Sequence, residues 1–527
     1  MRHLRVYGSL RAVALLGVLL CLAVASQAAD HHKELAKRID AILARPEVAR
    51  GFWGVEIEEL DTGNIVYSHD ADRLFTPASN TKLFTTAATL ALIGPDYHFR
   101  TTIESATAPD KYGRISGDLV LVGRGDPNLS GRALPYMLKT ERPMPPEQAL
   151  AELADQIVAR GIKVVDGDIV ADDSYYVYER YGEGWSQDDL VWEWGAPVSA
   201  LAVNDNVVYL NILPAEKVGE RAFVTVSPFA GYFQIDNKVM TSPSGAWPRK
   251  VYVQRQPGSN HLEIWGNIPS DDKGAGEAVA IDDPADFCAR LLTELLTRRG
   301  VVIYGKTRVH HTPMASLGTI TVNTNVPLGG GGEAQSASTS QVSQVVLAEH
   351  TSMPLAFDVQ VINKVSQNLH AEMMLRLLGR EKGTSGSVAA GLEVLRTFLA
   401  RADVRPEEYV FYDGSGLSRQ NLVSPRATVK LLRYATRQSW SAQFTSSLPV
   451  AGVDGTMTFR LKELPAGASV KGKTGSLDHV NALSGYLTTS RGERLVFSII
   501  CNNHTLQSHQ AADVLDEIVL EAERFKN

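Results

Sequence analysis

Three short polar groups lie far apart in this chain of 527 residues: Ser79-Asn80-Thr81-Lys82, Ser366-Gln367-Asn368 and Lys473-Thr474-Gly475-Ser476. The first two open apolar helical runs and the third precedes a strand hairpin. A fold that gathers them must send the chain out of one unit after the first group and bring it back before the second. The interval from about Arg100 to Ala280 has a different character, with short strands, Gly/Asp turns and few long helices. The gap is long enough to hold an inserted domain, and 100–280 reads as a strand-rich accessory region of two small subdomains.

An apolar content of 44% is ordinary for a globular protein and argues against global disorder. The formal net charge of -7 becomes more negative once Arg2, Arg5 and Arg11 are removed. No basic stripe is present, so nucleic acid is not an expected partner. Those three arginines precede an apolar run from Ala12 to Ala25, and Ser26-Gln27-Ala28 offers small residues to a processing peptidase. Residues 1–28 therefore read as an export signal, and the mature chain is expected outside the cytoplasm, in the periplasm. The run is short for spanning a bilayer. Cys288 and Cys501 remain after processing; both sit in apolar patterns, and neither has metal-site spacing. Export permits a disulfide between them. No metal or other cofactor is expected.

Local patterns place the three groups on elements. Lys33 to Leu43 reads as a helix, Phe52 to Leu60 as a strand, and Asp61-Thr62-Gly63-Asn64 as a turn into Ile65-Val66-Tyr67. Ser79 and Lys82 fall one turn apart on one helix face. Strands are expected over Asp118–Gly123, Val164–Val170, Val207–Leu210, Ala222–Val226, Val251–Gln254 and Leu262–Trp265, with a helix from Gln148 to Arg160. Asp286 to Arg298 resumes a helical pattern. Residues 318–341 are Thr/Asn/Ser-rich with Gly329–Gly332 and read as an exposed polar loop, since no phosphate-loop context accompanies the glycines. Late strands over Ala482–Thr488 and Leu495–Ile500 lead to an amphipathic helix, Ala511 to Phe525, whose periodicity suits packing on a sheet. Membrane association, if any, is peripheral.

A serine hydroxyl is a poor nucleophile until a nearby base removes its proton. Lys82 can reach Ser79, but must be neutral at the moment of attack; burial and a second cation such as Lys473 would lower its pKa. Ser366 either caps the helix that follows it or relays a proton to a leaving nitrogen. Asn368 would contact Lys82 and a substrate amide. Lys473 and Thr474 on a strand edge could meet a carboxylate, with Gly475 allowing close passage of the chain. The backbone N–H groups of Ser79 and Ser476 could form an oxyanion hole. Asp413, in Asp413-Gly414-Ser415-Gly416, reads equally well as a turn acid.

In this order the groups, with Gly125-Asp126-Pro127, Ala196-Pro197-Val198-Ser199-Ala200-Leu201, Ala371-Glu372, Asp413 to Arg419 and Ala451-Gly452-Val453-Asp454-Gly455-Thr456, make the chain resemble a family. That family is the class C low-molecular-mass penicillin-binding proteins, the D-Ala-D-Ala carboxypeptidase/endopeptidases. The resemblance implies an α+β multidomain fold. Its penicillin-recognising, serine transpeptidase/beta-lactamase-like domain has helices around an antiparallel sheet and is assembled from both ends of the chain, 29–99 and 281–527. An accessory region, 100–280, is inserted after the nucleophile helix, with a further small domain nested inside it. It implies removal of the terminal D-alanine from peptidoglycan stem peptides, with D,D-endopeptidase cleavage as a further activity and beta-lactams as covalent inhibitors. It also makes Asp172, or alternatively Asp173, the acid that meets the amino end of the substrate side chain, with Arg419 as its partner across the cleft. The long polar 318–341 loop departs from the family's compact connection. A non-catalytic peptidoglycan-binding scaffold and, more remotely, a beta-lactamase are the competing readings.

Overall fold

The computed structural model describes residues 31–132, 145–245, 248–314 and 344–525. The expected export signal and the 318–341 loop lie outside the described residues. One five-stranded antiparallel sheet is built from both ends of the chain, in the order Ser469–Leu477, Val480–Thr488, Arg494–Asn502, Phe52–Glu59, Ile65–His69. The N-terminal strand pairs along its whole length with Arg494–Asn502, Phe52 opposite Asn502 and Glu59 opposite Leu495. Its alternation places Trp53, Val55 and Ile57 on one face, where they meet residues 31–43 and the helix Ser508–Glu523 in one apolar cluster. The opposite face carries the helices Leu355–Lys364, Asn368–Lys382 and Pro425–Ala435 around the helix Thr81–Leu92. Residues Thr81 to Leu90 are all buried, as expected of a helix enclosed on every side. Ser424 and Pro425 start one of its neighbours, the Ser424 hydroxyl accepting from the Ala427 N–H.

A second five-stranded sheet has the order Thr307–Thr312, Ile169–Val177, Leu119–Val122, Arg100–Ser105, Val345–Thr351. The helices Gln148–Ala159 and Pro284–Arg298 cover it. Two three-stranded sheets follow from the intervening chain. Val207–Leu213 lies between Ala275–Ala280 and Phe223–Ser227, and His261–Pro269 between Gln234–Ser242 and Lys250–Arg255. Apolar side chains of all three sheets form one continuous cluster.

This arrangement corrects the boundary expected at residue 281. The helix Pro284–Arg298 and the strands Thr307–Thr312 and Val345–Thr351 belong with the accessory sheet, so the chain returns to the first unit only at Leu355. The sequence showed a helical pattern from Asp286 to Arg298, but not the sheet against which Phe287, Leu291, Leu292 and Leu295 are buried. Cys288 and Cys501 are both free and buried, one in the accessory cluster and one behind the first sheet. Burial pushes both thiols up. Among the described residues no helix is long and apolar enough to cross a membrane.

Where the accessory sheet meets the helix Pro284–Arg298, His311 Nδ1 stands 2.7 Å from Asp173, and its Nε2 is 3.4 Å from Asp283, the cap of that helix. Its ring stacks on Tyr178. Burial works against a charge on His311, but the hydrogen bonds it donates to Asp173 and Asp283 outweigh it and raise the imidazole from 6.5 to about 9. A raised imidazole stabilises the fold fully below its unfolded value and loses that contribution as pH rises through about 9. Urea denaturation of the parent should therefore weaken between mildly acidic and strongly alkaline pH, by about 2 kcal/mol after solvent screening. That part of the slope should vanish in His311→Phe; an unchanged slope would show that the cluster carries no net charge stabilisation.

Candidate active site

Ser79 lies in the short 3-10 turn Ala78–Asn80, immediately before the helix Thr81–Leu92. Ala78 is held at φ +48°, which aims the turn at the third group. Asn80 fastens it from behind by donating to Ser484 Oγ at 2.7 Å. One turn along the helix, the Lys82 Nζ donates to Ser79 Oγ at 2.9 Å, to Asn368 Oδ1 at 2.6 Å and to the Ser415 carbonyl at 2.6 Å. Ser79, Lys82 and Asn368, expected together, are together.

The Lys82 ammonium is fully buried. Loss of hydration lowers its pKa to about 7, against the opposing pull of Asp413 and Glu372. Asp413 accepts from the backbone N–H groups of Gly416 and Ser418, from Asn421 Nδ2 at 2.5 Å and from Trp185 Nε1 at 3.0 Å. It is therefore more than a turn acid: it shapes the loop that brings the Ser415 carbonyl to Lys82. Glu372 completes that loop by accepting from the N–H groups of Gly414 and Ser415 while pairing with buried Arg376. Glu372 has no spacing that marks such a role in sequence; its location on a buried helix face emerges only on folding.

The Lys473 Nζ donates to Ser366 Oγ at 2.9 Å and to the Thr474 carbonyl at 2.8 Å. Burial and the positive charge of Lys82 hold Lys473 well below the ordinary lysine range. Ser366 adopts φ +64°. Gln367, not Ser366, caps the following helix, its side chain accepting from the Leu369 N–H. That leaves the Ser366 hydroxyl turned to Lys473. Thr474 Oγ1 donates to Thr456 Oγ1 at 2.7 Å, which draws the Ala451–Thr456 segment to the same edge.

Ser469–Leu477 is an edge strand, and its phase decides which backbone groups face the cleft. Gly472 N–H donates away from the sheet to Pro449, and the Val470 carbonyl accepts from Ala451 on that side. Alternation then turns the N–H of Ser476 outward as well. The Ser79 amide heads its turn, where helical geometry leaves N–H groups without a partner in the helix. A Cβ on Gly475 would lie 2.8 Å from the Pro77 carbonyl and 3.1 Å from the Ser79 nitrogen. The strand therefore passes against the nucleophile turn at a distance that only glycine allows, with the outward Ser476 N–H one residue further along the same edge.

Asp172 and Arg419 are not brought together. Asp172 stands 3.0 Å from His310 and accepts from the Ser174 N–H, whereas Arg419 reaches Asp478 at 3.5 Å on the rim. The alternative acid, Asp173, is buried and held by Ser199 and His311. The accessory region instead approaches the site through two tryptophans the sequence reading did not single out. Trp185 donates to Asp413, and the Trp194 carbonyl accepts from Asn368 Nδ2 at 2.8 Å. Among the described residues no group of three or more His, Cys, Asp or Glu side chains is arranged to hold a metal ion.

Gly475→Ala should fold but slow acylation of Ser79 by about 100-fold, the scale of losing one oxyanion donor. Rapid-quench acylation rates would show it; parent-like rates would mean that the close passage is not needed.

Comparison with known proteins is consistent across sequence and structure. The model of the D-Ala-D-Ala carboxypeptidase 3 (S13) family matches residues 35–329 and 330–524. The chain is 34% identical over 504 residues to a D-alanyl-D-alanine carboxypeptidase of Actinomadura sp. (strain R39), covering 94% of this chain and 85% of that protein. It is 26% identical over 455 residues to D-alanyl-D-alanine carboxypeptidase DacB of Haemophilus influenzae, covering 86% and 85%. The crystal structure of penicillin binding protein 4 (dacB) from Haemophilus influenzae superposes with a TM-score of 0.75 at 23% identity, over 93% of this chain and 99% of that one. That likeness is one of fold.

Proposed function

This chain belongs to the D-Ala-D-Ala carboxypeptidase 3 (S13) family and is a serine-type D-Ala-D-Ala carboxypeptidase acting on peptidoglycan through an acyl-enzyme; we propose that Ser79, Lys82, Ser366, Asn368 and Lys473 carry that reaction. The observation that supports the assignment most is the fully buried Lys82 amine, 2.9 Å from Ser79 Oγ and depressed to about 7. Neutral Lys82 takes the hydroxyl proton as Ser79 Oγ attacks the carbonyl carbon between the two terminal D-alanines. The N–H groups of Ser79 and Ser476 stabilise the oxyanion. Collapse breaks the C–N bond, and the proton passes through Ser366, bonded to Lys473, to the leaving nitrogen. Free D-alanine departs, and water then hydrolyses the ester, returning the proton to Ser79.

The two lysines divide the work. Both are lowered by burial, and the positive charge of Lys82 further disfavours charge on Lys473. An arriving C-terminal carboxylate, met by Lys473 and Thr474, restores the positive form of Lys473. That leaves Lys82 as the neutral base. A beta-lactam carboxylate enters the same way, and ring opening leaves the departing nitrogen tethered. Cleavage of D,D-cross-links uses the same bond and the same acyl-serine, so endopeptidase activity is part of the proposal. Asp172 and Arg419 are proposed as contacts for the substrate side chain. The arginines and apolar run of residues 1–28 support export to the periplasm, with contact to the membrane at most peripheral.

Benzylpenicillin should add one mass adduct to the chain lacking residues 1–28 and none to Ser79→Ala, and the parent should release D-alanine from a stem pentapeptide. No adduct and no release from folded protein would favour a peptidoglycan-binding scaffold; rapid penicillin turnover would favour a beta-lactamase. Because Lys82 must be neutral, the acylation rate should climb with pH through about 7 and fall about tenfold per unit below it. A flat profile across that range would exclude Lys82 as the base.

A further inference from the structure

Gln367 stands between the two site residues of its turn, Ser366 and Asn368, and has a second task besides capping. Its side-chain carbonyl accepts from the Leu369 N–H at 2.9 Å, while its Nε2 donates to Asp205 Oδ2 at 3.2 Å. Further along the same helix, His370 Nε2 lies 3.2 Å from Asp205 Oδ1. One carboxylate from the accessory region thus holds both ends of the turn that presents Ser366 and Asn368.

Asp205 is 2% exposed and firmly held from its own side. Ser130 donates to Oδ1 at 2.6 Å, the Asp205 N–H returns a bond to Ser130 Oγ, and the Arg132 guanidinium pairs with Oδ2. The backbone that aims it is unusual. Asn204, Asp205 and Asn206 are three successive residues in the left-handed region, at φ 55°, 54° and 57°. This region is disfavoured for an L-residue with a side chain, and Asn and Asp are the non-glycine types that tolerate it. The conformation is fixed by Asn204 Nδ2 to the Val207 carbonyl, Asn206 Nδ2 to the Pro197 carbonyl, and Ile281 N–H to the Asn206 carbonyl. Strain of this kind persists where surrounding structure over-determines it, and it clusters at functional sites. Here it points a buried carboxylate out of the accessory region and into the active-site turn.

The turn needs such a clamp. Ser366 is itself left-handed, and its hydroxyl must meet Lys473 while Asn368, two residues on, must meet Lys82. Neither lysine, being buried and short of hydration, is a strong anchor for it.

We propose that Asp205 is a positioning residue for acyl transfer: acting through Gln367, it fixes the places of Ser366 Oγ and Asn368 Oδ1 relative to Lys473 and Lys82. The inference rests on the acyl-serine reading of Ser79. It makes the accessory region part of the catalytic apparatus as well as a wall of the cleft.

The test measures benzylpenicillin acylation of the parent, Asp205→Asn, Gln367→Met and the double variant, reading the maximal rate and the half-saturating concentration separately. Gln367→Met, a half-buried position, decides the matter if Asp205→Asn does not fold. Each variant should lose about tenfold or more in maximal rate. The half-saturating concentration should stay within about twofold. The double variant should be no slower than Asp205→Asn, because the two residues act as one link. Parent-like maximal rates in Gln367→Met, losses confined to half-saturation, or losses that multiply in the double variant would overturn the proposal. A parent that forms no adduct would overturn the Ser79 reading and this inference with it.

Discussion

Two lysine amines buried side by side are the interaction on which the rest of this structure turns. Removing an ammonium from water is costly unless it is paired or gives up its proton, and two near each other cannot both stay charged cheaply. The fold meets that problem with hydrogen-bond acceptors rather than a carboxylate in direct contact. Lys82 is held by a hydroxyl, an amide oxygen and a backbone carbonyl, and Lys473 by a hydroxyl and a carbonyl. The acids, Asp413 and Glu372, are kept at one remove, binding the loop that supplies the Ser415 carbonyl. A carboxylate in direct contact would keep Lys82 protonated. Placed behind the loop, the acids temper the desolvation of Lys82 without abolishing its basicity.

That arrangement explains why the chain is discontinuous. Lys82 comes from a helix near the N-terminus, Lys473 from an edge strand near the C-terminus, and the turn that bridges them from between. An edge strand is normally a liability because its outward N–H groups seek partners. Here the outward edge is the site: Pro449 and Ala451 occupy its first part, and the remainder, from Thr474 to Ser476, faces the nucleophile turn.

Much of this was legible in the sequence because the residues involved have short-range signatures. A serine three residues before a lysine on a helix, a glycine within a strand, and alternating apolar residues at both termini all carry local meaning. Ser79 and Lys82 could be placed on one helix face on that basis, whereas gathering them with Ser366, Asn368 and Lys473, and building one antiparallel sheet from both chain ends, followed from the family resemblance. What was not legible depends on which surfaces meet. The helix Pro284–Arg298 showed a face to bury, but not that the accessory sheet would bury it. Glu372 resembles any acid on a helix until Arg376 and the Gly414–Ser415 amides enclose it. Asp172 and Arg419 were assigned to the substrate from resemblance alone, and in the fold Asp172 lies beside His310 and Arg419 beside Asp478.

The same distinction bears on the inserted region. A domain that merely walled the cleft would need shape and surface polarity, and its contacts with the catalytic turn could be loose. The contacts made here are directional hydrogen bonds: Trp185 to Asp413, the Trp194 carbonyl to Asn368, and Asp205 to Gln367 and His370. Each terminates on a residue that holds, or neighbours, a group bonded to one of the two lysines. Small displacements of the accessory sheet therefore reach the lysine pair through a few stiff hydrogen bonds, and a misplacement of 1 Å is enough to cost about 100-fold in rate. The insertion lies between the nucleophile and the Ser366 turn in sequence, and it bears on that turn in space. Its effect on the reaction is set by how rigidly Asn204, Asp205 and Asn206 hold their left-handed path.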